Sequence, residues 1–205
     1  MISLVIATKN EGKVREINHF LKDLGIKLYS LNDFNNPPEI VEDGRNFKEN
    51  AIKKAEITAG ILKKLTLADD SGLEVDFLMG SPGVFSSRYS GENATDESNR
   101  RKLIEELADI KDFSKRTARF VCHLVLWDPY KGLIFETDGI CEGKIGFKEE
   151  GSGGFGYDSI FIPDEFSATM AELSEDEKNK ISHRGKALNG FLEFLQKNDL
   201  NFQDK

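Results

Sequence analysis

The sequence predicts a mixed α/β fold in two lobes, and three observations carry that expectation. An unbroken apolar run of strand length, ISLVIA at residues 2–7, passes through a polar turn into a helical repeat. In TARFVCHLVLW, residues 117–127, strict alternation puts Ala118, Phe120, Cys122, Leu124 and Leu126 on one buried strand face. Strands alternate with helices early in the chain and follow one another later, which favours a mixed sheet with flanking helices.

Taken in order, the first strand is followed by a helix with Val14, Ile17, Leu21 and Leu24 at helical spacing, stopped at Gly25. LNDFNNPPEIVEDG, residues 31–44, reads as a long loop because its two prolines forbid regular structure. A second helix places Phe47, Ala51, Ala55, Ala59 and Leu62 on one face and Glu49, Asn50 and Lys53 on another. TLADDSGLEVDFL, residues 66–78, reads as two short strands around a turn. After the loop at 80–95, a third helix starts near Asp96 with Leu103, Ile104 and Leu107 inward. The alternating strand then pairs with GLIFETDGI, residues 132–140, as a hairpin, and YDSIFIP reads as a strand ending at Pro163. GKALNGFLEFLQK, residues 185–197, closes the fold as a helix with Leu188, Leu192 and Leu195 inward.

Composition narrows the function. A length of 205 residues suits one domain, residues 1–205, with two lobes and no independent second domain. Apolar residues at 39% and charged residues at 31% exclude general disorder, apart from a few polar residues at the C-terminal end. A formal charge of −8 argues against a protein that coats nucleic acid. The opening apolar run is too short for a secretory signal, no segment approaches membrane-spanning length, and Cys122 and Cys141 match no zinc or redox spacing. A cytoplasmic protein is expected, with both thiols in packing roles.

Three stretches are candidates for binding. TKNEGK, residues 8–13, stands where a strand hands over to a helix, and its free N–H groups together with Lys13 suit a phosphate. Equally, Asn10 is an ordinary N-cap. GSGGFGYD, residues 151–158, satisfies G-x-G-x-x-G by accident, because a strand rather than a helix is expected after it. Its glycines allow either a close approach to a flat ligand, with Phe155 free to stack, or simply a flexible hairpin loop. In KNKISHRGKAL, Ser182 can cap the last helix while Lys178, His183 and Arg184 crowd its amino end, which favours an anion or a carbonyl-rich ligand over plain solvated charge only if such a ligand is present. Neither His19 nor His123 suggests a metal site.

Asp69 and Asp70 alone read as turn residues, since Asp-Ser-Gly is common turn chemistry. On a strand, however, adjacent side chains face opposite ways, and one carboxylate would meet apolar neighbours unless a cation relieved it. Mg²⁺, which binds through one or two carboxylates plus substrate phosphates, suits that role, with Glu42 in the long loop as a second carboxylate source.

The blocks ATKNEGKVREI, EDGRNFKENAIKKA, LADDSGLEVDFLMGSPGVFSSRYSGENATD, GGFGYDSIF and ISHRGKAL occur in the order found in the inosine triphosphate pyrophosphatases, which the sequence resembles along nearly its whole length. Two departures are local: Lys9 stands where members often have glycine, and Ser159 where they have proline. The resemblance implies an α/β enzyme with two lobes around an elongated mixed sheet and a cleft between them, usually a homodimer. It implies Mg²⁺-dependent hydrolysis of ITP, dITP or XTP, purine nucleoside triphosphates, to the monophosphate and pyrophosphate. On it, Thr8, Lys9, Asn10, Glu11, Gly12, Lys13 and Lys53 would hold the triphosphate, and Glu42 and Asp70 the metal. Asp70 would activate water and Ser71 would bind substrate. Phe155, Gly156, Tyr157, Asp158, Lys178, His183 and Arg184 would enclose the base. A carboxylate beside a cation is expected to keep a low pKa, so that Asp70 orients water more than it deprotonates it, with the share of Asp69 open. Two other readings are a pyrophosphatase of modified pyrimidine nucleotides and a nucleotide-binding regulator without activity.

Overall fold

A computed structural model describes residues 3–198. The polar C-terminal residues expected to be disordered lie outside the described residues. Six strands form one sheet: β1 (Ser3–Ile6), β2 (Lys27–Ser30), β3 (Thr66–Val75), β4 (Thr117–Asp128), β5 (Gly132–Ile145) and β6 (Phe161–Pro163). The helices are α1 (Glu11–Leu21), α2 (Phe47–Leu62), α3 (Asp96–Glu106), α4 (Glu175–Ile181) and α5 (His183–Lys197). Strand order is β2-β1-β3-β4-β5-β6, with β1 parallel to β2 and β3, and β6 antiparallel to β5. The sheet is therefore mixed, as the order of elements predicts.

The chain divides into two compact units. The second comprises Ser71–Val121 and Gly139–Gly185; the first holds the remaining described residues. In the first unit, strand parity sorts the core into two layers. Leu4, Ile6, Leu67, Cys122, Leu124 and Leu126 pack with Ile17 and Leu21 of α1 and with Ala187, Leu188 and Phe191 of α5. Residues of opposite parity, Ala7, Ala68 and Val125, pack with Ala51 and Ala55 of α2. Alanine at both α2 positions lets that helix lie close to the sheet; larger side chains there would overpack it at a cost of about 1–3 kcal/mol. In the second unit, Leu73, Val75, Ala118, Phe120, Cys141, Ile145 and Phe161 pack with Leu103 and Leu107 around α3. Arg116, 1% exposed, donates to the carbonyls of Leu107, Ile110, Ile145 and Gly146, so that main-chain acceptors compensate a buried guanidinium.

Three expectations are corrected, and two elements are added. Residues 66–75 form one continuous ten-residue strand, not two strands around a turn, because the place of β3 in the sheet, between β1 at its start and β4, outweighs the local turn preference of Asp-Ser-Gly. Leu24 is 43% exposed: α1 ends at Leu21 and a 3₁₀ turn, Lys22–Leu24, breaks the helical register before Gly25. Residues 157–160 do not extend β6, since Asp158–Ile160 is a 3₁₀ turn. Two elements go unread in the sequence, β2 and α4, which at four and seven residues are too short to show a period.

Candidate active site

The first unit brings together the acidic pair and the strand–helix junction. Asn10 is extended and its Oδ1 accepts the Lys13 N–H at 3.1 Å, the ordinary N-cap of α1. Its own N–H donates to Thr8 Oγ1 at 3.1 Å. The Thr8 carbonyl accepts from the Leu31 N–H, and the Lys9 carbonyl from Asn32 Nδ2, each at 3.1 Å, which fixes the junction. The Lys9 side chain is exposed and Gly12 is buried. Glu11 is exposed, 4.0 Å from Arg15. What remains for an anion here is the first-turn N–H groups and Lys13.

Asp69 and Asp70 follow the parity of β3. Asp69 shares the side of Leu67, toward α1, and its Oδ2 pairs with Lys13 Nζ at 2.9 Å. Asp70 shares the side of Ala68, toward α2, where its Oδ1 meets Lys54 Nζ at 2.7 Å and its Oδ2 accepts from Asn50 Nδ2 at 3.1 Å. Glu42 reaches the same ammonium at 3.2 Å. Both aspartates are buried, at 1% and 5% exposed. Burial depresses the Lys54 ammonium, but Asp70, Glu42 and Asp69 together raise it above its ordinary value, so it stays charged.

Against its two lysines, burial is the larger influence on Asp70. Burial pushes its carboxyl above the ordinary 3.8, and Lys54 and Lys13 offset only part of that. The adjacent lysines Lys53, expected to hold the triphosphate, and Lys54 face different ways. Lys53 pairs with Asp43 at 2.5 Å on the outer side of α2, while Lys54 points to the acids. Lys54 and Asn50 are the functional candidates that sequence reasoning missed. The signal was present: Phe47, Asn50, Ala51, Lys54, Ala55, Thr58 and Ala59 are all buried, at the i, i+3, i+4 spacing of an inward stripe. Asn50 thus belongs to the buried stripe and not to the face expected to carry Glu49 and Lys53.

The second unit brings together the glycine-rich loop, α4 and the start of α5. Asp158 is buried; its Oδ2 accepts from the Phe155 N–H at 2.9 Å and from Lys178 Nζ at 2.7 Å. Gly154 has φ +71°, and a Cβ on it would lie 2.0 Å from that same oxygen, so this glycine serves the loop's own fold and not only an approaching ligand. The Phe155 ring carries two cations, Lys178 Nζ at 5.1 Å and the Arg184 guanidinium carbon at 5.6 Å from its centroid. Gly156 is clamped by α3, donating its N–H to Asp96 Oδ2 and accepting from Arg100 Nη1, both at 2.8 Å. Tyr157 is buried and donates to the Ser86 carbonyl at 2.8 Å.

Ser182 Oγ accepts the Gly185 N–H at 3.0 Å, the capping role its position suggests. Lys178 lies in the last turn of α4, where a cation is favoured by the helix dipole, and not simply against the amino end of α5. His183 stacks on Phe120 at 4.7 Å with 14° between the planes, and Arg184, 2% exposed, donates to Ser71 Oγ at 2.9 Å.

An α/β sheet whose parallel strand carries buried carboxylates, each met by a lysine from a flanking helix, defines a class of α/β proteins with an acid–lysine cluster at a strand–helix junction. A model of the Ham1 family matches residues 4–194, and the chain belongs to that family. It is 51% identical over 185 residues, 90% of this chain and 81% of the relative, to a dITP/XTP pyrophosphatase of Desulfotalea psychrophila. Identity to the dITP/XTP pyrophosphatase of Geobacter sulfurreducens is 50%, over 92% of this chain and 94% of that protein. Among solved structures, a HAM1 protein from Coxiella burnetii superimposes with a TM-score of 0.85 at 41% identity, covering 96% of this chain and all of that one.

Proposed function

We propose that this protein hydrolyses dITP, XTP and ITP to the nucleoside monophosphate and pyrophosphate, with Mg²⁺ as cofactor. The observation that carries the reading is Asp70, a buried carboxylate that shares Lys54 with Glu42. The activity in the names of relatives about half identical over nine-tenths of the chain supports the substrate class.

The donor set fits Mg²⁺ of the kind that takes one or two carboxylates and completes its shell with water and phosphate. Glu42 and Asp70 are hard oxygen donors within reach of one ammonium, a place already arranged for positive charge. Two carboxylates leave most of such an ion's shell to water and phosphate oxygens. When bound, the ion would neutralise charge on the departing pyrophosphate.

This chain's residues do the remaining work. Asp70 orients the attacking water and takes its proton. Lys13, Lys54 and the first-turn N–H groups of α1 draw the triphosphate, with Thr8 to Gly12 shaping the junction and Lys53 nearer the periphery. In the second unit Phe155 offers a stacking surface, in a loop held by Gly156, Tyr157 and Asp158 through the contacts above, with Lys178 and Arg184 over its ring and His183 and Ser71 as further substrate contacts. Arg184 and N–H groups near Ser182 donate to a 6-keto oxygen; a 6-amino group would face donor with donor, at about 1–3 kcal/mol per unpaired buried group. The resemblance further supports a homodimer acting in the cytoplasm.

Incubation with Mg²⁺ and a panel of dITP, XTP, ATP, GTP and modified pyrimidine triphosphates, with pyrophosphate measured, tests the reading. The expected result is fast release from dITP and XTP only. Release mainly from pyrimidines, or binding without release, overturns it.

A further inference from the structure

Asn50 is fully buried on α2, one turn before Lys54, and both ends of its amide are engaged. Its Oδ1 accepts the Gly44 N–H at 2.7 Å and its Nδ2 donates to Asp70 Oδ2 at 3.1 Å. A main-chain N–H can only donate, so Gly44 dictates which way the amide points and obliges its NH₂ to face Asp70. Gly44 sits two residues after Glu42. A Cβ at that position would lie 2.5 Å from Asn50 Oδ1, so the close approach admits no side chain. One amide thus touches both the β3 carboxylate and the loop that carries the second one. Lys54 takes the other oxygen of Asp70, so two successive turns of α2 fix the plane of that carboxylate.

We propose that Asn50 is a positioning residue: through Asp70 on one side and the Gly44 N–H on the other, it sets the spacing and orientation of the Asp70 and Glu42 oxygens that receive the divalent cation. This deepens the reading above and rests on it. Asn50 touches neither substrate nor cation in this role. The alternative, a purely structural amide that satisfies a buried N–H, predicts lost stability without a change in cation affinity. Substitution separates the two. Asn50→Asp keeps an acceptor for Gly44 but sets one carboxylate against another, whereas Asn50→Leu removes both bonds at similar volume.

The test measures Mn²⁺ binding by the EPR signal of free Mn²⁺, together with dITP hydrolysis at saturating metal, for wild type, N50L and N50D, with circular dichroism as the check on folding. The expected result in both variants is a kcat lowered about 10–100-fold with KM for dITP little changed, and in N50L a Mn²⁺ dissociation constant raised by a similar factor, a loss that the added charge of N50D offsets. Where N50L does not fold, N50D decides. A folded variant that binds Mn²⁺ and turns over within about twofold of wild type, well short of the loss expected of such a partner, overturns this proposal alone. A wild type that neither binds Mn²⁺ nor cleaves dITP overturns the functional reading beneath it.

Discussion

In the first unit the buried polar groups near the candidate site are side chains held by side chains: Lys13 by Asp69, Lys54 by Asp70 and Glu42, Asp70 by Asn50. In the second unit they are mostly side chains holding main chain. Arg116 serves four carbonyls, Tyr157 the Ser86 carbonyl, Asp96 and Arg100 the two polar groups of Gly156, and Asp158 the Phe155 N–H. The two kinds of partnership respond differently to a ligand. A charge paired with another charge can exchange its partner for phosphate or metal and stay compensated, whereas a charge tied to backbone carbonyls fixes the shape of a loop. Chemistry is thus expected from the first unit and recognition from the second.

The comparison breaks most sharply at Asp70. Asp70→Asn is expected to lower kcat on dITP by about 10²–10⁴-fold, the usual contribution of a positioned acid–base group, while circular dichroism stays native. Near-normal hydrolysis by that variant would remove the chemical role from the first unit. Lys54→Met comes next: stripping one partner from a buried pair is expected to destabilise by about 3–5 kcal/mol in denaturant unfolding. It also gives the pH dependence a sign. Asp70 must be ionised to act, and its pKa already lies above 3.8, so activity is lost as pH falls through a value higher than that of an ordinary aspartate. Lys54 opposes that rise, so K54M is expected to move the acid limb of kcat/KM further up; a limb that stays put would show that Lys54 does not act on Asp70.

The smallest effect is expected in the second unit. Phe155→Ala should raise KM for dITP with little change in kcat, because stacking on an aromatic ring is worth about 1–3 kcal/mol per base. Equal losses in both constants would mean that the loop takes part in the chemical step, which would blur the division between the units.

Much of this was legible beforehand wherever a residue's neighbours are local. The alternation of β4, the alanine repeat of α2, the β1–α1 junction and the Ser182 cap each depend on contacts within a few residues, and each appears where the sequence puts it. Functional candidates were less legible when their identity depended on which way an element is turned. Lys53 and Lys54 are adjacent in sequence but about 100° apart around a helix, and one meets Asp43 at the surface while the other meets Asp70 inside. Asn50 carries no motif that marks it, since its role exists only where α2, β3 and the loop at Gly44 converge.

The sequence by itself determined the α/β class, the acidic pair and the fact that adjacent carboxylates on a strand face opposite ways, because backbone periodicity needs no distant partner. Only the tertiary structure decided that residues 66–75 run as a single strand, that Lys54 rather than Lys53 meets Asp70, and that burial outweighs the lysines at the Asp70 carboxyl. Those outcomes depend on the rotation of a packed helix and on how much water is excluded around a charge, and both are set by contacts between segments far apart in the chain.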